Sequence, residues 1–202
     1  MTRRGIDVSV YQGNINWDMT KKDIDFAIVR CGFGGNVTTQ DDRMWETNAT
    51  ACERLKIPYG TYLYSYARSV EEAINEADHV LRLIKNKKLE YPIYYDVEEN
   101  DYINQVSNEQ LVKQCIAFCD RIEKAGYYVG IYSSRYFLET RLNSNSLDRF
   151  DKWVAEWNPE PTYNKSFGMW QYTNNAKVSG IEGRVDANIA YLDYPTIIRN
   201  SG

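Results

Sequence analysis

The segment 91–100 opens on the apolar aromatic run Tyr91, Pro92, Ile93, Tyr94 and Tyr95 and closes on Asp96, Glu98 and Glu99. In an extended strand Asp96 and Glu98 project to the same side, their α-carbons roughly 6.5 Å apart at a rise of ~3.3 Å per residue. Two carboxylates held together in a partly apolar site repel, so one tends to keep its proton while the other ionises. Glycoside hydrolysis requires such a pair. A solvated strand end followed by an acidic turn would read the same way, and Glu99 and Asp101 take that reading.

Asp7 follows Ile6 in a first apolar run and Asp186 follows Val185 in the last. A lone acid at a strand end is usually a cap or an ion-pair partner. Four acids directed at one opening form a constellation. Aromatic and amide side chains occupy similar places: Tyr62, Tyr64 and Tyr66, then Tyr132, Trp153 and Trp157, then Trp170, Gln171 and Tyr172. Half must be core by alternation, and any that reach the opening would offer sugar rings flat apolar faces and hydrogen-bonding groups.

The elements that could position these groups are short apolar runs at 5–11, 25–33, 59–66, 91–98, 127–133, 152–157, 168–172 and 185–191. Helical patterns separate most of the early ones, and that alternation signals a β/α architecture. In a barrel the C-terminal ends of the strands form the active-site face, so acids at those ends reach the mouth. Trp45, Ala49 and Cys52 share a helical face over 42–56. Ser69 to Glu72 forms a capping box ahead of Val70, Ala73, Ile74, Ala77, Leu81 and Ile84 at helical spacing. Ser107 to Gln110 repeats it ahead of Leu111, Cys115, Phe118, Cys119 and Ile122, and Gly126 is placed to end that helix. The last three strands are joined by Asn-, Pro- and Gly-rich loops too short for crossover helices. The expected fold is therefore α/β, an irregular TIM-like barrel of eight strands with about five helices, a helix-poor last third and some antiparallel pairing.

The 202 residues suit one catalytic domain over 1–202, with no internal repeat or linker. A net charge of −4 without a basic run lacks the footprint that neutralises phosphates, so nucleic acid is not an expected partner. No apolar stretch is long enough for a membrane span or signal peptide, so a soluble chain is expected, and action outside the cell would need another release route, such as a phage-type one. Four cysteines without paired spacing and a single histidine predict no metal site. Cys115 and Cys119 read as buried thiols, Cys31 and Cys52 could pair, and His79 reads as a surface side chain. Gly32, Gly34 and Gly35 lack the spacing of a nucleotide loop, so no cofactor is expected. Ser133 and Ser134 lack a nucleophile-elbow context, and a serine triad is not expected.

Taken together the motifs resemble glycoside hydrolase family 25, the muramidases often called Chalaropsis-type lysozymes, over nearly the whole chain. Asp7, Ser9, Tyr11, Gln12 and Gly13 look like the opening motif and Asp96-Val97-Glu98 like the centre. Asn48 with Gly60 and Tyr62 fits the helix-to-strand pattern. Trp153 to Trp157, Trp170 to Tyr172, and Val185, Asp186 and Asn188 look like the closing motifs. The resemblance implies a five-helix barrel that hydrolyses the β-1,4 bond between N-acetylmuramic acid and N-acetylglucosamine in cell-wall peptidoglycan. It implies Glu98 as acid and then base, and Asp96 as partner of the substrate's own N-acetyl group, giving retention. Asp7 and Asp186 would tune the centre, and Tyr62, Tyr64, Tyr132, Trp153, Glu156, Trp170, Gln171 and Asn188 would contact substrate. A monomeric catalytic domain without a wall-binding module is expected. Many members carry His-Phe where this chain has Leu63-Tyr64. Rival readings are a chitinase-like hydrolase, whose longer Asp-rich strand-four signature is missing, and a catalytically silent carbohydrate-binding barrel.

Overall fold

The computed structural model describes residues 1–201. Eight strands close into one barrel in sequence order: β1 (Arg3–Val8), β2 (Phe26–Phe33), β3 (Tyr59–Tyr64), β4 (Ile93–Asp96), β5 (Val129–Ser134), β6 (Asp151–Ala155), β7 (Met169–Ala176) and β8 (Val185–Ala190). Pairing is parallel from β1 to β7. It is antiparallel for β7 with β8 and for β8 with β1. The reversal follows from the connection over 177–184, which has no helix to carry the chain back along the barrel and so returns it as a hairpin.

The described residues form six α-helices: α1 (Trp17–Thr20), α2 (Trp45–Leu55), α3 (Val70–Ile84), α4 (Asn108–Lys124), α5 (Arg135–Glu139) and α6 (Tyr194–Asn200). The three long ones are those the apolar periodicity predicts. Ser69 and Ser107 cap α3 and α4 by accepting from the backbone N–H of Glu72 and Gln110, which satisfies N–H groups the first turn would otherwise leave unpaired.

Strand alternation divides the core in two. On β2, Ala27, Val29 and Cys31 pack outward against the helices, while Phe26 and Ile28 pack with Tyr91, Tyr94, Tyr132, Trp153, Met169 and Tyr194. Trp153 lies at the centre of this inner cluster, its ring centroids 4.3 Å from Tyr132, 5.1 Å from Tyr94 and 5.9 Å from Tyr62. Gly130 makes room for it, since a Cβ there would meet the Tyr94 ring at 2.7 Å. The end of the barrel opposite the mouth is closed by α6, where Tyr194 Oη donates to Asp151 Oδ2 at 2.5 Å and Tyr94 Oη donates to the same oxygen at 3.0 Å.

Three expectations need correction. His79 is a fully buried side chain, not a surface one: Nε2 lies 2.7 Å from Asp41 Oδ1 and Nδ1 lies 3.0 Å from the Gly34 carbonyl oxygen. It ties α3 to the segment after β2. The buried face of α3 is correspondingly rotated, with Glu76 and His79 inside and Ile74 at the surface. Specific hydrogen-bond partners offset the desolvation of those polar groups, a term that apolar spacing does not report. Finally, Cys31 and Cys52 do not pair: all four cysteines are free and buried, and Cys31 Sγ donates to the Tyr62 carbonyl oxygen at 3.4 Å.

Candidate active site

The C-terminal ends of β1 to β4 surround an open cavity of about 370 Å³ lined by Asp7, Asp96, Glu98, Asp186, Arg30, Tyr62, Tyr64 and Tyr66, with Ser9, Tyr11 and Gln12 at its rim. The four acids named from the sequence thus meet in one place.

Asp7 and Asp186 sit directly opposite each other on β1 and β8. Asp7 Oδ2 accepts from Asn188 Nδ2 and Gln171 Nε2, both at 2.9 Å, and Gln171 Nε2 also reaches Asp186 Oδ2 at 3.4 Å. Burial, then the charge of Asp186, hold the Asp7 carboxyl well above the usual carboxylate range despite those two donors. Burial raises Asp186 as well. One proton between two facing carboxyls is the arrangement that repulsion at short range favours.

The second pair is Asp96 with Glu98. Asp96 ends β4 in register with Tyr64 on one side and Tyr132 on the other. Only 3% exposed, it has Oδ1 without a hydrogen-bond partner among the described residues. Burial raises its carboxyl well above the ordinary value. The charge of Glu98 and a hydrogen bond shared with it push the same way, and Arg30 opposes them. Two carboxyls can share that bond only if one carries a proton. Glu98 lies further out, half-buried at the cavity wall.

Arg30 is the residue that the sequence reading missed. Its Nε donates to the buried Asp42 Oδ2 at 2.8 Å, and its guanidinium lies 5.2 Å from the Tyr11 ring centroid and 5.6 Å from that of Phe33. It is the one cation in the cavity lining. The available signal was an arginine interrupting an otherwise apolar strand, on the side shared with Phe26 and Ile28.

The expected substrate contacts divide. Tyr62 and Tyr64 line the cavity, whereas Leu63 is buried on the outer side among the core apolar residues. Trp153, Asn188, Trp170, Glu156 and Gln171, the other expected contacts, have polar groups engaged within the protein. Trp153 Nε1 donates to Asn188 Oδ1 at 2.8 Å, and Trp170 Nε1 donates to the Glu156 carbonyl oxygen at 2.7 Å. The Glu156 carboxylate accepts from Thr162 N, Asn158 Nδ2 and Arg135. Gln171 Oε1 accepts from Tyr132 Oη at 2.8 Å and Trp157 Nε1 at 3.2 Å, so its amide is occupied at both ends. Tyr132 is buried, while Trp157 keeps an exposed ring beside the mouth.

A closed β/α barrel carrying two carboxyl pairs at its mouth defines a candidate acid–base hydrolase of the barrel class. The chain belongs to glycosyl hydrolases family 25, whose model matches residues 6–181. It is similar to the modular autolysin LytC of Streptococcus pneumoniae, with 36% identity and a TM-score of 0.84 over 94% of this chain and 47% of that one. The bacterial lysozyme of Streptomyces coelicolor aligns at 25% identity with a TM-score of 0.83, over 99% of this chain and 98% of that one. Lysozyme M1 of Streptomyces globisporus is 28% identical over 92% of this chain and 66% of its own length. The chain therefore spans about half the length of the pneumococcal autolysin.

Proposed function

We propose that this barrel hydrolyses peptidoglycan, cutting the β-1,4 bond between N-acetylmuramic acid and N-acetylglucosamine with retention through the substrate's own N-acetyl group. The observation that carries the reading is the Asp96–Glu98 pair, two carboxyls lining the mouth of the barrel, with Asp96 buried and its carboxyl raised well above the ordinary value. Family membership and a relative solved with a synthetic peptidoglycan ligand support the choice of polymer.

Each carboxyl has a distinct part. Burial favours the proton on Asp96. A sugar seated over Asp96 would draw on a carboxylate there, so the proton passes to Glu98, which faces the open cavity. Glu98 then protonates the leaving glycosidic oxygen as the C–O bond breaks, while the acetamide oxygen of the same sugar attacks the anomeric carbon from the opposite face. Ionised Asp96 stabilises the positive charge that develops on the acetamide nitrogen. Water subsequently attacks the anomeric carbon, gives its proton to Glu98 and restores the acetamide. Tyr62 and Tyr64 supply ring faces and phenols to the sugars, and Asp7 and Asp186 set the negative potential beneath them. Action on the wall places the reaction outside the membrane.

Mass spectrometry of purified peptidoglycan after digestion tests this. Fragments ending in reducing N-acetylmuramic acid are expected. Reducing N-acetylglucosamine ends, or release from chitin and none from peptidoglycan, would replace the muramidase reading with that of another acetamido-sugar hydrolase. Binding without any cleavage would make the barrel a carbohydrate-binding module.

A further inference from the structure

Behind the mouth, on the outer side of the sheet, lies a carboxylate that the reaction does not use. Glu76 projects from α3 and is 1% exposed. Its Oε2 accepts from Tyr95 Oη at 2.6 Å and from Ser65 Oγ at 2.8 Å, and its Oε1 accepts from the Tyr66 backbone N–H at 2.7 Å. Every one of these donors belongs to a segment that carries a mouth residue. Tyr95 adjoins Asp96 on β4, and Ser65 and Tyr66 follow Tyr64 at the end of β3. The Ser65 N–H donates to the Asp96 carbonyl oxygen at 2.9 Å. Asn100 Nδ2 reaches both the Ser65 and the Glu98 carbonyl oxygens, at 3.2 and 3.4 Å. Glu76 therefore sits where the backbones of Tyr64, Tyr66, Asp96 and Glu98 are joined.

We propose that Glu76 is a positioning residue for the hydrolytic centre: its ionised carboxylate, through Ser65, Tyr66 and Tyr95, sets where Asp96 and Glu98 stand relative to the tyrosine wall of the cavity. This rests on the function proposed above. The chemical reason is the count of donors. An ionised carboxylate accepts all three, whereas a protonated one brings a donor of its own into a ring of donors, so that the bonds around it must rearrange. A bond lost at Tyr95 or Tyr66 frees the end of β4 or of β3, and shifts of ~1 Å at reacting groups are enough to slow catalysis.

The surroundings make this carboxylate responsive to pH. Burial pushes Glu76 up to about 7, against the lowering effect of its three donors, with Glu72 on the same helix adding to the rise. From the other elements packed on it, the ionisable groups are Tyr95 of β4, Tyr66 beyond β3 and the buried Cys115 thiol of α4. Arg68, on the β3–α3 segment, points its charge at Glu72, 3.7 Å away. A cavity of about 290 Å³ lined by Glu76, Tyr66, Arg68 and Tyr102 gives protons a route from solvent.

The test compares wild type, Glu76→Gln and Tyr95→Phe for release of muropeptides from purified peptidoglycan between pH 5 and 9. Circular dichroism of each variant serves as the folding control. For Glu76→Gln we expect kcat about tenfold lower at pH 8, KM within twofold, and loss of the rise in kcat between pH 6 and 8. Tyr95→Phe, which keeps the ring and removes one donor, should move that rise to higher pH, and it decides the matter if Glu76→Gln does not fold. The acids of the mouth titrate in all three proteins, so the difference between profiles isolates Glu76. Unchanged profiles in folded variants overturn the proposal. So does a lower kcat with the rise left in place, which would mean packing alone. A wild type that releases no muropeptide refutes the function itself rather than this role.

Discussion

Asp7 and Asp186 face each other across the antiparallel β1–β8 pair and share the Gln171 amide as a donor. The reversed last strand is what permits this. A parallel β8 would run the other way along the barrel and carry Asp186, its second residue, away from the mouth.

Asp7→Asn is expected to stabilise the protein at neutral pH and to impair it as an enzyme. The Asp7 carboxyl is raised in the folded state, so the fold holds its proton more tightly than the unfolded chain does. That contribution is complete below the unfolded value and is lost as pH rises through the folded one. Thermal melts should show the variant above wild type at pH 7 to 8, with the gap closing towards pH 4. A variant less stable than wild type at pH 8 would contradict this.

Glu98→Gln should abolish wall lysis while leaving the circular dichroism spectrum and muropeptide binding intact, since the amide keeps the shape and lacks the proton. Asp96→Asn should retain a residue of activity, lowered about 10²-fold or more if the carboxylate stabilises developing charge. Turbidity loss of a peptidoglycan suspension measures both. Wild-type rates in either variant would refute the assignment of roles.

Gln171→Leu removes the donor that Asp7 and Asp186 share and leaves Tyr132 Oη and Trp157 Nε1 without an acceptor. Stranding a buried polar group costs about 1–3 kcal/mol. Urea unfolding at pH 7 should show a loss in that range, accompanied by a fall in turnover because the floor of the mouth is no longer fixed.

Tyr194→Phe provides the contrast at the other end of the barrel. It deletes the strongest donor to Asp151, for a comparable loss of about 1–3 kcal/mol. The initial rate of lysis at 25 °C should nevertheless match wild type. A large fall in rate without loss of fold would mean that the two ends of the barrel are coupled.

The sequence made the eight strands and the four acids legible because both rest on local signals: apolar runs bounded by turn residues, and acids at their ends. Facing direction was legible too, since alternation has a period of two. Depth was not. Trp153 and Asn188 point inward as expected, yet lie beneath the mouth bonded to each other, and nothing in their own segments reveals how far along the axis they sit. Arg30, Glu76 and His79 escaped for a related reason. A charged residue at a core position can be read only through its partners, and those partners, Asp42, Tyr95 and Asp41, come from other segments of the chain.

The hydrogen bond from Asn188 to Asp7 joins residues 181 positions apart, and the one from Gln171 spans 164. Contacts of such separation are slow to form, because the loop they close must first be brought together. Completion of the Asp7–Asp186 side of the mouth therefore depends on the long-range closure of the barrel. A chain that has not yet closed β8 onto β1 carries Asp96 and Glu98 without Asp186 and Asn188 beside Asp7.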